Sequence, residues 1–198
     1  MRVARSHTGR NEIVAAALAL TAENGWDSTS LHAVRQRAGV SNGALFHHFP
    51  TREALASAVV GAGMSAHQDE LLTELRSAST GRGAVTGVVR RHLRWVADHQ
   101  QLAGLLLSAP PKTLRASVSS STLAANRDFF TEVADWLTGR GWSGAPPLTT
   151  VTALWLGPAQ YFARGWLAAP DDSLPDRAID LAEGAWRTLA PLLDPEDR

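Results

Sequence analysis

The residues best suited to chemistry lie in the first quarter of the chain, where cations and imidazoles are concentrated. Residues 1–52 carry six Arg and three acidic residues, a net charge of +3, although the 198-residue chain is neutral overall. Four of the seven His residues lie in the same segment, namely His7, His32, His47 and His48. A polyanion attracts such a segment and favours protonation of its imidazoles. The charge gradient therefore points to a nucleic-acid partner, with a chance fluctuation of a few charges as the alternative.

Two other kinds of chemistry find little support. His47 and His48 are adjacent, so on a helix their side chains point about 100° apart, and with no third ligand near them we expect no metal site. A small hydrolase that uses the Ser119 to Ser121 hydroxyl cluster is an alternative function. The chain has no G-x-S-x-G elbow, no strand before these serines and no metal- or nucleotide-binding signature. We therefore expect no enzyme activity and no cofactor.

A second group of candidate residues combines an imidazole with aromatic side chains. His92 lies on the apolar face of a predicted helix. It is either a hydrogen-bonding group for a ligand or a core residue whose hydrogen bonds are made inside the protein. Six of the seven Trp follow residue 52. This concentration of aromatic residues suits a pocket for a planar or hydrophobic molecule, although packing in the core explains each aromatic residue equally well. The candidate ligand-binding residues are His92, Trp95, Val96, Phe129, Trp136, Trp155, Phe162 and Trp166.

Helices must position these residues, because the apolar spacing is helical almost everywhere and no convincing strand alternation occurs. We predict an all-α fold of about nine helices. A three-helix helix-turn-helix domain is expected over residues 1–52, and a larger helical ligand-binding and dimerisation domain over residues 53–198. The predicted helices cover residues 11–24, 31–38, 42–49, 51–77, 84–98, 102–107, 121–138, 148–168 and 175–193.

The best-marked boundary is the start of the third helix. Ser41 is suited to the N-cap, and Val40 and Leu45 have the spacing of a hydrophobic staple. The preceding helix ends at Gly39, a residue suited to a left-handed C-cap. Two helices joined by a tight turn containing Gly, the second short and bearing small polar residues, are typical of a helix-turn-helix.

The stretch from Thr29 to Phe49, TSLHAVRQRAGVSNGALFHHF, and the PTREAL that follows resemble the N-terminal signature of the TetR/AcrR family of bacterial transcriptional regulators. The resemblance covers about the first 60 residues, and the remainder matches only in architecture. The resemblance implies a helix-turn-helix that binds double-stranded DNA. The residues it assigns to that surface are Thr29, Ser30, His32, Arg35, Arg37, Ser41, Asn42, Gly43, Ala44, Phe46, His47, Thr51 and Arg52.

The implied roles are physically reasonable for the recognition helix. Its first residues are small enough to let the backbone approach the floor of the major groove. Asn42 suits adenine, Ala44 suits a thymine methyl group, and His47 suits a base edge or a phosphate.

The flanking helix starts and the basic residues suit phosphate contacts instead. Helix N-termini can hold phosphates at two places in this segment. The first is the start of the second helix, at Thr29 or Ser30, and the second is the start of the fourth helix, at Thr51 and Arg52. Additional salt-dependent attraction is expected from Arg37, Arg2, Arg5 and Arg10.

Three positions depart from the usual pattern of the family. Phe46 stands where Tyr is usual, Arg35 where a small residue is usual, and Asn42 where a basic residue is frequent. Arg35 must therefore extend outward or reach a phosphate. These departures bear on the operator sequence more than on DNA binding itself.

The predicted helix over residues 148–168 is apolar nearly all round, so one face can meet the core and the other a partner chain. With the last helix it predicts a homodimer through a four-helix bundle, which the resemblance also implies. The predicted interface residues are Leu156, Gln160, Ala163, Leu167, Ile179, Ala182, Trp186, Leu189 and Leu193.

Together these features predict a ligand-responsive, homodimeric DNA-binding regulator. We expect a repressor that a small hydrophobic or aromatic effector releases from a palindromic operator, with activation and a dimer that no longer reads DNA as open alternatives. The chain has no Cys, no signal-peptide pattern and no run of 18 apolar residues, so we expect a cytoplasmic protein without a membrane partner.

Overall fold

The computed structural model describes the backbone of residues 2–107 and 120–194, with side chains for residues 9–107 and 122–194. Every element in these ranges is helical, which confirms the all-α prediction. The elements are α1 (Arg2–Asn24), α2 (Leu31–Ala38), α3 (Asn42–His48), α4 (Arg52–Ser77), α5 (Gly81–Asp98), α6 (Gln100–Leu107), α7 (Ser120–Thr138), α8 (Leu148–Ala168), α9 (Leu174–Leu189) and a short 3-10 helix (Ala190–Leu192).

Side-chain caps define the starts of α2 and α3. The Ser30 hydroxyl accepts a hydrogen bond from the Ala33 N–H, and the Ser41 hydroxyl accepts one from the Ala44 N–H, each at 3.1 Å. Gly39 ends α2 with a φ of +65°, a left-handed conformation that Gly adopts at little cost. The predicted N-cap at Ser41 and the predicted end of α2 at Gly39 are confirmed.

One hydrophobic cluster holds α1 to α4 together. Ile13 and Ala17 on α1, Val34 on α2, Leu45 on α3 and Leu55 on α4 are fully or almost fully buried in it. Phe49, Val59 and Ala16 complete the buried part of the cluster. Because each short helix contributes only one or two core residues, the helix-turn-helix depends on packing against both α1 and the start of α4.

The chain packs as two compact units that divide it differently from the predicted boundary at residue 52. The first unit contains residues up to Ser65 and the described part of residues 99–124, and the second contains residues 66–98 and those from Ala125 onward. The reason is local: Leu55 and Val59, in the first half of α4, belong to the core of the helix-turn-helix. The functional division into residues 1–52 and 53–198 stays a prediction.

The start of α1 also differs from the prediction. The helix begins at Arg2 instead of residue 11. Residues 2–10 contain no Pro, and the single Gly9 within them costs about 1 kcal/mol in a helix interior, so nothing in this segment stops the helix.

In the second unit, α5 is the central helix. Val85, Val89, Leu93 and Val96 of α5 have no exposed surface, and α8 and α9 both pack on this helix. The Trp155 indole N–H of α8 donates to the carbonyl of Val85 at 3.0 Å, which satisfies a buried polar group at the α5–α8 contact.

Candidate nucleic-acid interface and ligand site

The outward side of α3 consists of small and hydrogen-bonding residues. Ser41, Asn42, Gly43 and His47 are exposed, and Ala44 is half-buried. Phe46 is also exposed, with 44% of its surface accessible. On the opposite side of α3, Leu45 is buried and anchors the helix on the core. The short helix therefore presents hydrogen-bonding groups to solvent from a rigid base, the arrangement that direct reading of base edges requires.

At the start of α2, the structure separates two hydroxyl residues that the sequence left as alternatives. Thr29 is 4% exposed, and its hydroxyl donates to the Gly25 carbonyl at 2.8 Å. Ser30 and His32 are exposed. The predicted DNA contact by Thr29 is therefore corrected, because its hydroxyl is buried and used inside the chain. Ser30 remains as the candidate for a phosphate at this helix start.

Arg52 makes contacts inside the chain that its predicted role did not include. Its guanidinium donates to the carbonyl of Trp26 at 2.7 Å and to that of Thr29 at 3.3 Å. The same group lies 4.9 Å from the centre of the Trp26 ring, within cation–π distance. Both hydrogen bonds come from Nη2, which holds the loop that leads into α2, and a phosphate contact by the other N–H groups of Arg52 stays a prediction. Thr51, which is exposed, caps α4 by accepting from the Ala54 N–H.

We expect Arg52→Gln to lower the free energy of unfolding by about 2 kcal/mol, because charge-assisted hydrogen bonds to partly buried carbonyls are lost. Urea denaturation followed by circular dichroism measures this change. Arg37→Gln is the control, since the Arg37 ion pair is exposed, and its effect should be much smaller. Equal effects of the two variants would contradict the positioning role of Arg52.

The other basic residues of the helix-turn-helix lie closer to solvent. Arg37 forms an exposed ion pair with Glu23 at 2.7 Å. The hydrogen bond between them lowers the pKa of Glu23 and raises that of Arg37. Arg35 is half-buried, and the Arg10 guanidinium lies 5.2 Å from the centre of the Phe49 ring. The predicted contributions of the Arg2 and Arg5 side chains lie outside the described residues.

The described residues contain no group of three or more His, Cys, Asp or Glu side chains placed to hold a metal ion. Ser119 and the side chains of Ser120 and Ser121 lie outside the described residues.

The eight predicted ligand-binding residues are distributed over α5, α7 and α8. His92, Trp95 and Val96 are buried along α5. Trp136 of α7 and Trp155 of α8 form a ring pair with centres 6.1 Å apart. Phe129 is half-buried beside Phe130, and Phe162 and Trp166 lie at a groove along α8. Their assignment to a single ligand site stays a prediction.

His92, predicted to hydrogen-bond with a ligand or within the core, has a partner that the sequence analysis did not identify. His67 Nε2 of α4 lies 3.0 Å from His92 Nδ1 of α5, within hydrogen-bonding distance. Both residues are buried, at 8% and 1% exposure, and the ring of Trp95 packs on His67 with centres 4.6 Å apart. The sequence carried one signal for His67: it precedes the buried Leu71 by four residues and therefore shares the inner face of α4.

Burial of His92 makes the stability of the protein sensitive to acid. Desolvation lowers the pKa of His92 to about 4, from an ordinary value near 6.5. Between these values the unfolded chain binds more protons than the folded chain, so the free energy of unfolding falls as the pH falls from about 6.5 to 4. Integrated over this window, the contribution is roughly 3 kcal/mol.

We therefore expect His92→Gln to flatten the dependence of stability on pH between about 6.5 and 5.5, where nearly all carboxylates stay ionised. Urea denaturation of both proteins at several pH values measures the difference. His32→Gln, at an exposed imidazole, is the control and should retain the wild-type slope. An unchanged slope in His92→Gln would show that the imidazole of His92 is protonated as easily in the folded chain as in the unfolded chain.

An open groove with a volume of about 650 Å³ runs along the outer side of α8. It is lined by Pro158, Tyr161, Phe162, Arg164, Gly165, Trp166 and Leu181. Three large apolar side chains of α8 and α9 are unusually exposed: Leu154 at 44%, Ile179 at 54% and Tyr161 at 76%. Leu154 and Tyr161 are seven residues apart and therefore share one face of α8, and exposed apolar residues on a common face favour an interaction surface.

Five of the nine predicted interface residues are buried inside their own chain. They are Ala163, Ala182, Trp186, Leu189 and Leu193, none more than 9% exposed. The stripe on α9 packs against α5 and α8, so it has little surface left for a second chain. The prediction is corrected for these five residues. Ile179 is exposed, Leu156, Gln160 and Leu167 are half-buried, and all four stay candidates.

No helix in the described ranges has both the length and the apolar character needed to cross a membrane.

Comparison with known proteins agrees with the helix-turn-helix geometry. The family model described as bacterial regulatory proteins, tetR family, matches residues 13–59. Over 122 residues the chain is 31% identical to the HTH-type transcriptional repressor Rv1474c of Mycobacterium tuberculosis (strain ATCC 25618 / H37Rv). That match covers 59% of this chain and 60% of the length of the repressor.

Solved structures are similar in fold over most of the chain. A tetR-family transcriptional regulator from Streptomyces coelicolor aligns with a TM-score of 0.66 and 18% identity, over 92% of this chain and 83% of that one. A transcriptional regulator from Rhodococcus sp. Rha1 aligns with a TM-score of 0.62 and 24% identity, over 92% of this chain and 96% of that one. The regulator FadR from Bacillus subtilis, solved in complex with stearoyl-CoA, aligns with a TM-score of 0.60 and 19% identity, over 92% of this chain and 97% of that one.

Proposed function

We propose that this chain is a member of the TetR family of bacterial regulatory proteins, and that it is a homodimeric transcriptional repressor that a small hydrophobic or aromatic effector releases from a near-palindromic operator. Proteins of this family are regulators and not enzymes. The observation that carries the proposal is the exposed side of α3, whose hydrogen-bonding residues stand on the buried anchor Leu45. DNA as the target implies the bacterial cytoplasm as the location.

In the proposed complex, α3 lies in the major groove. Asn42 and His47 supply hydrogen-bonding groups for base edges, and Gly43 allows the backbone to come close. Ser30 and Thr51, at the starts of α2 and α4, lie where backbone N–H groups can hold phosphates. Phosphate contacts fix the register of the protein, and the contacts of α3 read the sequence.

The proposed homodimer uses the exposed face of α8 and α9. Leu154, Tyr161 and Ile179 are apolar or largely apolar groups that water covers in a single chain. Burying them in a symmetric contact is favourable at roughly 25 cal/mol for each Å² of apolar surface. A two-fold axis also explains a palindromic operator, because the recognition helices would then meet major grooves about 34 to 36 Å apart.

The effector is proposed to bind in the second unit, whose interior is rich in aromatic side chains. The complex of FadR with stearoyl-CoA supports this proposal, because a regulator of similar fold binds a ligand with a long apolar part. Effector binding reduces DNA affinity only if the effector binds the DNA-free conformation more tightly, and such coupling is typically about 1 to 3 kcal/mol. α4 is the proposed link, since its residues belong to both units.

A DNA titration at two salt concentrations tests the proposed function. The probes are the intergenic DNA beside the coding region of the protein and a scrambled duplex of equal length. We expect a preference of about a thousandfold for the native DNA. Equal and weak binding of both duplexes, with only a salt-dependent component, would contradict specific regulation at this site and leave a dimer that no longer reads DNA.

A further inference from the structure

The imidazole of His92 has one ring nitrogen that is buried and unused. Its Nδ1 pairs with His67, but its Nε2 has no hydrogen-bond partner among the described residues. The residue is 1% exposed, so solvent does not satisfy this atom either. An unsatisfied buried polar atom is costly, and such atoms in folded proteins are commonly sites for a ligand or an ordered water.

The pair of imidazoles can present either a donor or an acceptor at that atom. If His67 Nε2–H donates to His92 Nδ1, the proton of His92 is on Nε2, which then donates. If His92 Nδ1–H donates to His67 instead, Nε2 carries a lone pair and accepts. The group that meets Nε2 therefore selects the tautomer, and His67 is the positioning residue that makes both tautomers possible.

The surroundings of the pair favour an uncharged ligand group. Within the described ranges the buried polar side chains are Thr21, Thr29, His67, Gln68, Thr86 and His92, with no Lys, Arg, Asp or Glu. Arg91, the residue before His92 on α5, has a buried Nε that lies 3.0 Å from Glu70 Oε2, so its charge is already paired. An ionised carboxylate or amine at His92 would therefore have no fully buried countercharge among the described residues, and an unpaired buried charge is strongly unfavourable.

We propose that His92 Nε2 binds an uncharged oxygen of the effector, a hydroxyl or a carbonyl on an otherwise apolar molecule, with His67 pairing to either tautomer of His92. This inference rests on the proposed ligand response and specifies its chemistry. Apolar contact then supplies most of the affinity, and the hydrogen bond to His92 supplies selectivity between molecules of the same shape.

Three probes of matched shape test the inference by calorimetric titration of the full-length protein without DNA: 4-propylphenol, propylbenzene and 4-propylbenzoate. We expect 4-propylphenol to bind about tenfold more tightly than either of the others, because only its hydroxyl is uncharged and able to donate or accept. In His92→Leu, 4-propylphenol and propylbenzene should bind equally. Preference for the carboxylate, equal binding of all three to the wild type, or no saturable binding at millimolar concentration would overturn the inference.

A second measurement does not depend on the folding of a variant at His92. The ring ¹⁵N NMR signals of His92 report which nitrogen carries the proton. We expect 4-propylphenol, but not propylbenzene, to shift the Nε2 signal, and we expect His67→Leu to change the tautomer pattern of His92 before any probe is added. Unchanged signals in both cases would refute the role of the pair.

The two proposals can fail separately. Specific operator binding without selectivity for the phenol would leave the DNA-binding function standing and remove this inference. Selective binding of the phenol without any specific operator would do the reverse.

Discussion

Gly43→Glu is expected to lower operator affinity about a thousandfold, to the level of non-specific DNA binding, without weakening the fold. Gly43 is exposed on α3, and a Cβ built there has the Ser41 hydroxyl oxygen, at 4.0 Å, as its nearest described neighbour. Glu also has a better helix propensity than Gly. The loss therefore comes from a carboxylate placed against phosphates and base edges, where like charges and bulk both oppose contact.

The control is Thr131→Glu, which places the same carboxylate at an exposed position of α7, outside both α3 and the proposed dimer face. Both variants should unfold at or above the wild-type urea midpoint, and only Gly43→Glu should lose the operator in a fluorescence anisotropy titration. If Gly43→Glu kept wild-type affinity, α3 would not be the element that meets DNA.

The double variant Leu154→Glu with Tyr161→Glu should convert the proposed dimer to a monomer, raising the dimer dissociation constant by about a thousandfold or more. Both side chains are already exposed in the single chain, so their replacement leaves the monomer core unchanged. Two carboxylates on each side of a two-fold contact would bring four like charges together and would lose water on assembly. Sedimentation velocity over a range of protein concentrations measures the change.

Thr131→Glu on α7, also an exposed helical position, is the control and should leave the association state unchanged. Operator affinity should fall with the dimer, because a monomer contacts one half-site only. A wild-type protein that sediments as a monomer at all concentrations would rule out this face as a dimer contact. A double variant that stays dimeric would place the contact elsewhere on the chain.

The local structure of the helix-turn-helix could be predicted from the sequence because its signals act over three or four residues. The hydroxyl of Ser41 reaches the Ala44 N–H three residues later, and Gly39 adopts the left-handed conformation within the turn itself. Leu45, which has the spacing of a hydrophobic staple with Val40, is buried as that spacing requires. These features depend on spacing along the chain, which the sequence displays directly.

The pairing of residues distant in sequence depended on tertiary structure. Arg52 donates to the carbonyl of Trp26, and His67 meets His92. No local pattern links these partners, since which side chains meet across two helices depends on helix length, rotation and crossing angle. For the same reason the sequence indicated only a phosphate contact for Arg52 and a single imidazole at His92.

The sequence by itself therefore determined the helical class, the helix-turn-helix, its caps and the residues that α3 exposes, because each follows from short-range geometry. Which apolar stripe faces the chain's own core was decided only by packing. The stripe of α9 that contains Ala182 and Leu189 is buried, whereas Leu154 and Tyr161 of α8 are left exposed. Periodicity identifies an apolar face but carries no information about what covers it, so that the assignment required the tertiary arrangement of α5, α8 and α9.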